Sequence, residues 1–337
     1  MNEMKRMITF IGAILVFLGF ALVTQPAQNA NNKLAQHKVI KVGILQLVSH
    51  PALNQIHQGI ISGLKDEGFK EGKNIKVKFQ NAQGDQSNLK TMAQQLANRD
   101  DILFGIATPA AQSLVNAANK TTPVMMAGIS NPVGGGLVES EKRPGANVTG
   151  SSGDSPLDKQ LQLIRDVMPQ AKKIGVVYTS SDSGGQSNAK KFEKLVKKAG
   201  LQPKMYTIAN TNDMQQISQQ MASDVDVIYA PQDNGVASSM KTLVNNANQA
   251  GKAVFPAADT MVADGGTASY AIDQHDLGRT AGHMAAKVIH GKKPANYPVE
   301  YVVKGKYVIN QKQVDKLNIQ IPEKIMQQAH KNGRVIK

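Results

Sequence analysis

Asp101-Ile102-Leu103-Phe104-Gly105-Ile106-Ala107-Thr108-Pro109-Ala110-Ala111-Gln112-Ser113-Leu114-Val115 begins as an apolar run and turns within two residues into a helical pattern. Ile102, Leu103, Phe104 and Ile106 read as a strand buried on both faces, and Leu114, Val115 and Ala118 then recur at helical spacing. Thr108 is a good N-cap, Pro109 suits a first helical position that needs no N–H, and the small side chains of Ala110 and Ala111 leave their amides open. Such a helix end attracts anions, so Thr108, Ala110 and Ala111 are candidates to hold a ligand carboxylate. An ordinary capped helix looks the same, and the loops that meet this one must decide.

Outward from this unit a β/α rhythm runs in both directions. Strands are predicted at Val39–Leu47, Ile75–Gln80 and Pro123–Ala127, with a helix after the loop Val48–Ala52 that carries Ile56, Ile60, Ile61 and Leu64 on one face, and another at Leu89–Asn98. After the Gly- and Pro-rich stretch Ser130–Ser155 the pattern repeats. Lys173-Ile174-Gly175-Val176-Val177 echoes Lys41-Val42-Gly43-Ile44-Leu45, and Ala199-Gly200-Leu201 echoes Glu67-Gly68-Phe69. Asp226-Val227-Ile228-Tyr229-Ala230 matches Asp101-Ile102-Leu103-Phe104-Gly105 without a gap, which sets Asp233 opposite Thr108. The expected fold is α/β, with two doubly wound parallel-sheet lobes joined by a hinge. The division expected is a targeting segment and linker over 1–37, a first lobe from 38–149 plus 272–300, and a second from 150–271 plus 301–337.

The chain has 337 residues, 41% of them hydrophobic, enough for two cores. Its formal charge of +14 comes from scattered lysines, Trp is absent, and no stretch interleaves aromatics with Arg, which argues against nucleic acid as a partner. With no cysteine there is no disulfide, thiol nucleophile, cysteine metal site or lipid-modified cysteine. Lys5 and Arg6 precede an apolar run from Met7 to Val23, a membrane-targeting segment. Ala27–Ala30 offers no clean small-x-small cleavage site, so an uncleaved anchor on the outer face of the cell membrane is favoured over secretion after cleavage.

Ligands of open parallel sheets sit beyond the carboxyl ends of the strands, and two facing lobes would enclose one cleft there. The loops concerned supply Ser49, His50, Thr108, Ala110, Ala111, Ser130, Asn131, Ser152, Tyr178, Asn188, Asp233, Asn234, Asp259 and Gln274 as candidate ligand-binding residues. Asp233 stands out. It either caps the following helix, predicted over Val236–Gln249, or receives a ligand ammonium while Thr108 and its neighbours hold the carboxylate; the two roles are compatible. No catalytic residue, metal ligand or cofactor is expected. Gly150-Ser151-Ser152-Gly153 lacks the nucleophile-elbow spacing, Gly134-Gly135-Gly136 lacks a nucleotide-cradling pattern, and His283 and His290 have no adjacent carboxylate.

At His50-Pro51-Ala52-Leu53, Asn81-Ala82-Gln83-Gly84-Asp85, Ala107-Thr108-Pro109-Ala110-Ala111-Gln112, Asn131-Pro132-Val133-Gly134, Asn147-Val148-Thr149-Gly150, Asp233-Asn234 and Asp276-Leu277-Gly278 the chain resembles a known family. It is similar to the tryptophan/tyrosine-type substrate-binding proteins of bacterial ABC transporters. The resemblance implies a type I periplasmic-binding-protein fold with three crossings between lobes, capture of an amino-acid-like ligand, and delivery to ABC permease subunits by a monomer. An aromatic amino acid is the favoured ligand, although Gln274 and His275 stand where the family often has Tyr. The alternative is a sensor that binds the same ligand and docks on a signalling partner.

Overall fold

Every residue of the strand Ile102–Ile106 (β3) is buried, as the continuous apolar run requires. In this computed structural model, which describes Leu34, residues 38–153 and residues 155–337, β3 lies inside a six-stranded parallel sheet of order β11-β5-β4-β3-β1-β2. The other strands are β1 (Ile40–Gln46), β2 (Ile75–Asn81), β4 (Val124–Ile129), β5 (Val148–Ser152) and β11 (Glu300–Tyr301). The N-terminal apolar run lies outside the described residues. Two pairs of helices cover this first sheet: α1 (Pro51–Asp66) with α10 (Gln274–Ile289), and α2 (Gln86–Ala97) with α3 (Thr108–Ala117).

The second lobe has a parallel sheet of order β7-β6-β8-β9, from β6 (Lys173–Thr179), β7 (Gln202–Ile208), β8 (Val227–Ala230) and β9 (Ala253–Pro256). Beside it stand β10 (Ala268–Ile272), β12 (Gly305–Asn310) and β13 (Arg334–Ile336), and β10 runs antiparallel to β12. Its helices are α4 (Leu157–Val167), α5 (Ser183–Lys198), α6 (Met214–Asp224), α7 (Asn234–Ser238), α8 (Met240–Gln249), α9 (Asp259–Ala263), α11 (Gln311–Lys316) and α12 (Glu323–Asn332). The helix predicted over Val236–Gln249 is broken at Ser239, whose backbone leaves helical geometry and whose hydroxyl donates to the Gly235 carbonyl at 2.7 Å.

The internal repeat is real down to single hydrogen bonds. Val42 pairs with Ile102 across β1 and β3, and the equivalent Ile174 pairs with Val227 across β6 and β8. Asp101 accepts from the Lys41 amide at 2.8 Å, and its equivalent Asp226 accepts from the Lys173 amide at 2.8 Å. Both first helices close alike. Gly68 and Gly200 adopt positive φ, so Phe69 N–H reaches back to the Leu64 carbonyl and Leu201 N–H to that of Val196.

The chain crosses between lobes after Ser152, after Ile272 and after Tyr301. The divisions expected before Gly150, Ile272 and Tyr301 fall inside strands, and pairing keeps each strand whole: Gly150–Ser152 and Tyr301 stay with the first sheet and Ile272 with β10. The second crossing leads straight into α10, which lies against α1 at glycine contacts. A Cβ on Gly278 would sit 1.9 Å from the Ile56 carbonyl oxygen, and one on Gly63 2.2 Å from that of Arg279. Ile56, Ile60 and Leu64 then pack with Leu277, Ala281 and Met284 in the first core, and Asp66 closes the far end on Arg279 at 2.7 Å and His283 at 3.0 Å.

Candidate functional site

The strand-end loops of both lobes meet in one cleft, and helix starts build it. In the first lobe His50 precedes α1 and Ala107 precedes α3; in the second Asp182 precedes α5 and Asp233 precedes α7. Asp182 and Asp233 cap their helices with side-chain oxygens, accepting from Gly185 N–H and Val236 N–H, both at 3.0 Å. Thr108 is not the N-cap expected. It is the first residue of α3, and Ala107 occupies the cap position at φ 73°, ψ 155° with no side-chain cap bond. That conformation costs an L-residue about 1–3 kcal/mol, and the lobe holds it at the mouth of the cleft.

Asp233 is 2% exposed and fixed within its own lobe: Thr179 donates its amide to Oδ2 at 2.8 Å and its hydroxyl to Oδ1 at 2.6 Å. Burial, and then the neighbouring Asp182 carboxylate, push its pKa up to about 6 against the hydrogen bonds from Thr179 and Val236. Of the two readings of Asp233 the structure shows the helix cap, and it adds a clamp on β6 and a place in an acidic pair. Gly185 makes the pair possible, since a Cβ there would lie 2.1 Å from Asp233 Oδ2.

Asn234 links the pair to the first lobe. Its backbone and side-chain amides donate to Asp182 Oδ2 at 3.0 and 2.5 Å, which leaves Oδ1 to face His50 Nε2 at 3.1 Å. Because Oδ1 can only accept, His50 Nε2 carries the proton and Nδ1 is the bare acceptor. Burial lowers the His50 pKa, against the Asn234 hydrogen bond and the Asp182 charge, so the ring is neutral at pH 7. Its Nδ1 is buried with no protein partner among the described residues.

Of the sequence candidates, His50, Thr108, Ser130, Asp233, Asn234 and Gln274 line the cleft. The hydroxyls of Thr108 and Ser130 converge on Gly184 of the opposite lobe: a Cβ there would be 3.3 Å from one and 3.6 Å from the other. Asn131 sits at the rim and donates to Ser187 Oγ across the lobes at 3.1 Å.

The remaining candidates lie elsewhere. Ser49 is exposed and turned to Asn54 at 3.3 Å. Ala110 and Ala111 are buried in the core, and the Ala111 amide already donates to the Ala107 carbonyl at 3.1 Å, so it is not open to an anion. Ser152 is inside β5, donating to the Ile129 carbonyl. Tyr178 packs on the second core, and Asn188 is buried on α5 one turn after Gly184, with neither side-chain polar atom partnered among the described residues. Asp259 opens α9 and lines a separate groove.

Sequence reasoning missed Asp182, although a signal existed: the offset that aligns Lys41 with Lys173 also aligns His50 with Asp182. It also missed Gln232, which donates to Gln274 Oε1 at 3.4 Å and accepts from Ser155 Oγ at 3.0 Å. Leu53, Ala237, Ala258 and Met261 give the cleft an apolar wall. Among its described lining residues there are two carboxylates and no Lys or Arg, so the second lobe favours a cationic group and the first offers hydroxyls and a helix start. The space enclosed is about 30 Å³, room for water, and an amino acid enters only as the lobes part. Among the described residues no group of three His, Asp or Glu could hold a metal ion.

The family model for ABC transporter substrate binding proteins matches residues 41–332. The tyrosine-binding protein of Clostridioides difficile is 33% identical over 328 residues, covering 95% of this chain and 94% of its own. A crystal structure from Streptococcus pneumoniae in complex with L-Trp is 43% identical and superposes with a TM-score of 0.85 over 88% of this chain and all of that one. The ligand-free, open structure of a substrate-binding protein with adhesive properties from Clostridium difficile is 33% identical and covers 89% of this chain and 99% of its own, yet superposes only to 0.69. The difference agrees with the interlobe hydrogen bonds His50–Asn234 and Asn131–Ser187: the lobes here are closed. By its two lobes, its interlobe cleft and a family match that spans most of its length, the chain belongs to the ABC transporter substrate binding protein family.

Proposed function

We propose that this protein is the extracytoplasmic receptor of an ABC importer that captures an aromatic amino acid, tryptophan or tyrosine, and presents it as a monomer to the permease. The observation that carries the reading is the asymmetry of the cleft. A buried carboxylate pair, Asp182 and Asp233, stands on one side, and the Thr108 and Ser130 hydroxyls stand on the other. A zwitterion laid across it puts its ammonium on the second lobe and its carboxylate on the first, with the ring against Leu53 and Met261. Relatives support the aromatic side chain: one is named for tyrosine and another was crystallised with L-Trp. His50 Nδ1 is an acceptor suited to a ligand N–H.

The family's task is non-catalytic transport outside the cytoplasm. Among the described residues no helix is long and apolar enough to cross a membrane, and the proposed surface anchor falls on the N-terminal apolar run. Calorimetry with ligand analogues tests the site without disturbing the fold. L-tryptophan and L-tyrosine should bind, and indole-3-propionate, which lacks the ammonium, should bind about 30-fold to several-thousand-fold more weakly than L-tryptophan, equivalent to about 2–5 kcal/mol. Equal affinity for tryptophan and indole-3-propionate would remove the acidic pair from recognition.

A further inference from the structure

A second groove of about 400 Å³ is lined by residues of both lobes. Gln55, Gln58 and His275 come from the first lobe's α1 and α10; Asp259, Lys306 and Arg334 come from the second. Its lining carries both signs of charge, with Ala271, Ile272 and Val308 as the apolar part. Lys306 stands 4.0 Å from Asp273, a carboxylate already engaged in capping α10 through the amides of His275 and Asp276. Asp259 is different. Its Oδ1 is buried and has no hydrogen-bond partner among the described residues. Burial raises its pKa, the Arg334 charge is one of the smaller effects that oppose this, and no ion pair joins the two. A carboxylate and a guanidinium that line one groove without forming an ion pair suit a molecule that carries both an ammonium and a carboxylate.

We propose that this groove is a second small-molecule site, that it takes a polar α-amino acid with its ammonium on Asp259 and its carboxylate on Arg334, and that its occupation stabilises the closed lobes. The polar class follows from Gln55, Gln58, His275 and Lys306, which would surround the side chain where the main cleft offers Leu53 and Met261. Closure follows because both lobes contribute walls, so the occupant binds the closed arrangement better than the open one. By linkage it then raises affinity at the main cleft by the same factor that the main ligand raises its own. The effect on closure rests on the two-lobe receptor reading; the site itself does not.

The test uses L-glutamine as probe, titrated into the protein alone and into protein saturated with L-tryptophan. Saturable glutamine binding is expected in both, tighter in the second. Asp259→Asn and Arg334→Gln should each weaken it by about tenfold or more while leaving tryptophan affinity measured without glutamine within about twofold. N-acetyl-L-glutamine, whose amine is neutral, should not compete. No glutamine binding up to about 10 mM, or glutamine affinity unchanged in both variants, would overturn the site. Displacement of glutamine by tryptophan would assign the binding to the main cleft and overturn it equally. Glutamine binding with no gain in tryptophan affinity would overturn the closure half. Failure of tryptophan to bind at all would instead count against the receptor reading, and the glutamine titration of the protein alone would still decide the groove.

Discussion

At the scale of single residues the site turns on the proton of one buried carboxylate, Asp233, that stands beside another. Asp233 is raised from 3.8 to about 6 by burial and by Asp182, so between those values the folded protein holds a proton that the unfolded chain has released. Stability from this group therefore falls as pH rises from about 4 to 6. A ligand ammonium reverses the preference, because it needs the charged form. Affinity for tryptophan should fall as pH drops below 6, by up to about tenfold per pH unit, and binding near pH 6 should release a proton. Calorimetry in two buffers of different ionisation enthalpy reads both. A flat affinity from pH 5 to 7 with no proton release would mean that Asp233 does not receive the ammonium. Replacement of Asp233 by Asn is a poor probe, since one side-chain oxygen would become a donor facing the amides of Thr179 or Val236 that donate to it now. Asp233 was legible in the sequence because it stood opposite Thr108 in the repeat. The hydrogen bond that fixes the His50 tautomer was not, because it joins residues 184 positions apart on different lobes.

At the scale of elements the sequence placed the strands well and the helix starts less well. Continuous apolar runs such as Ile102–Ile106 leave a buried strand few alternatives, whereas a cap depends on the φ and ψ of one residue. Thr108 has the chemistry of a cap, yet the tight turn out of β3 puts Ala107 there and frees the Thr108 hydroxyl for the cleft. The close contact of α1 with α10 was also hidden, because it brings Gly59 and Gly63 against Gly278 and Gly282, which lie far from them in the sequence. Since α10 leaves the second crossing directly, this contact fixes how that hinge strand enters the first lobe. Gly278→Ala places a Cβ against the Ile56 carbonyl and should destabilise the protein by roughly 1–3 kcal/mol, read as a lowered denaturant midpoint. Unchanged stability would show that α10 can shift away from α1 without cost.

For the whole molecule, the two-lobe architecture was the most legible feature, since the same β/α pattern appears twice at register and each copy carries enough apolar residues for its own core. Which loop residues point into the cleft was less so: the strand-end loops were right, but only the folded backbone decides that Ser130 faces it and Ser152 does not. The central claim is that the lobes close around an aromatic amino acid, in a cleft wider than the roughly 30 Å³ enclosed when His50 and Asn234 are joined. Small-angle scattering on the protein with and without saturating L-tryptophan or L-tyrosine tests it most directly. A smaller radius of gyration on ligand addition is the expected result, because a ligand that touches both lobes favours the closed state by its differential affinity. Tight binding with an unchanged radius of gyration would contradict it.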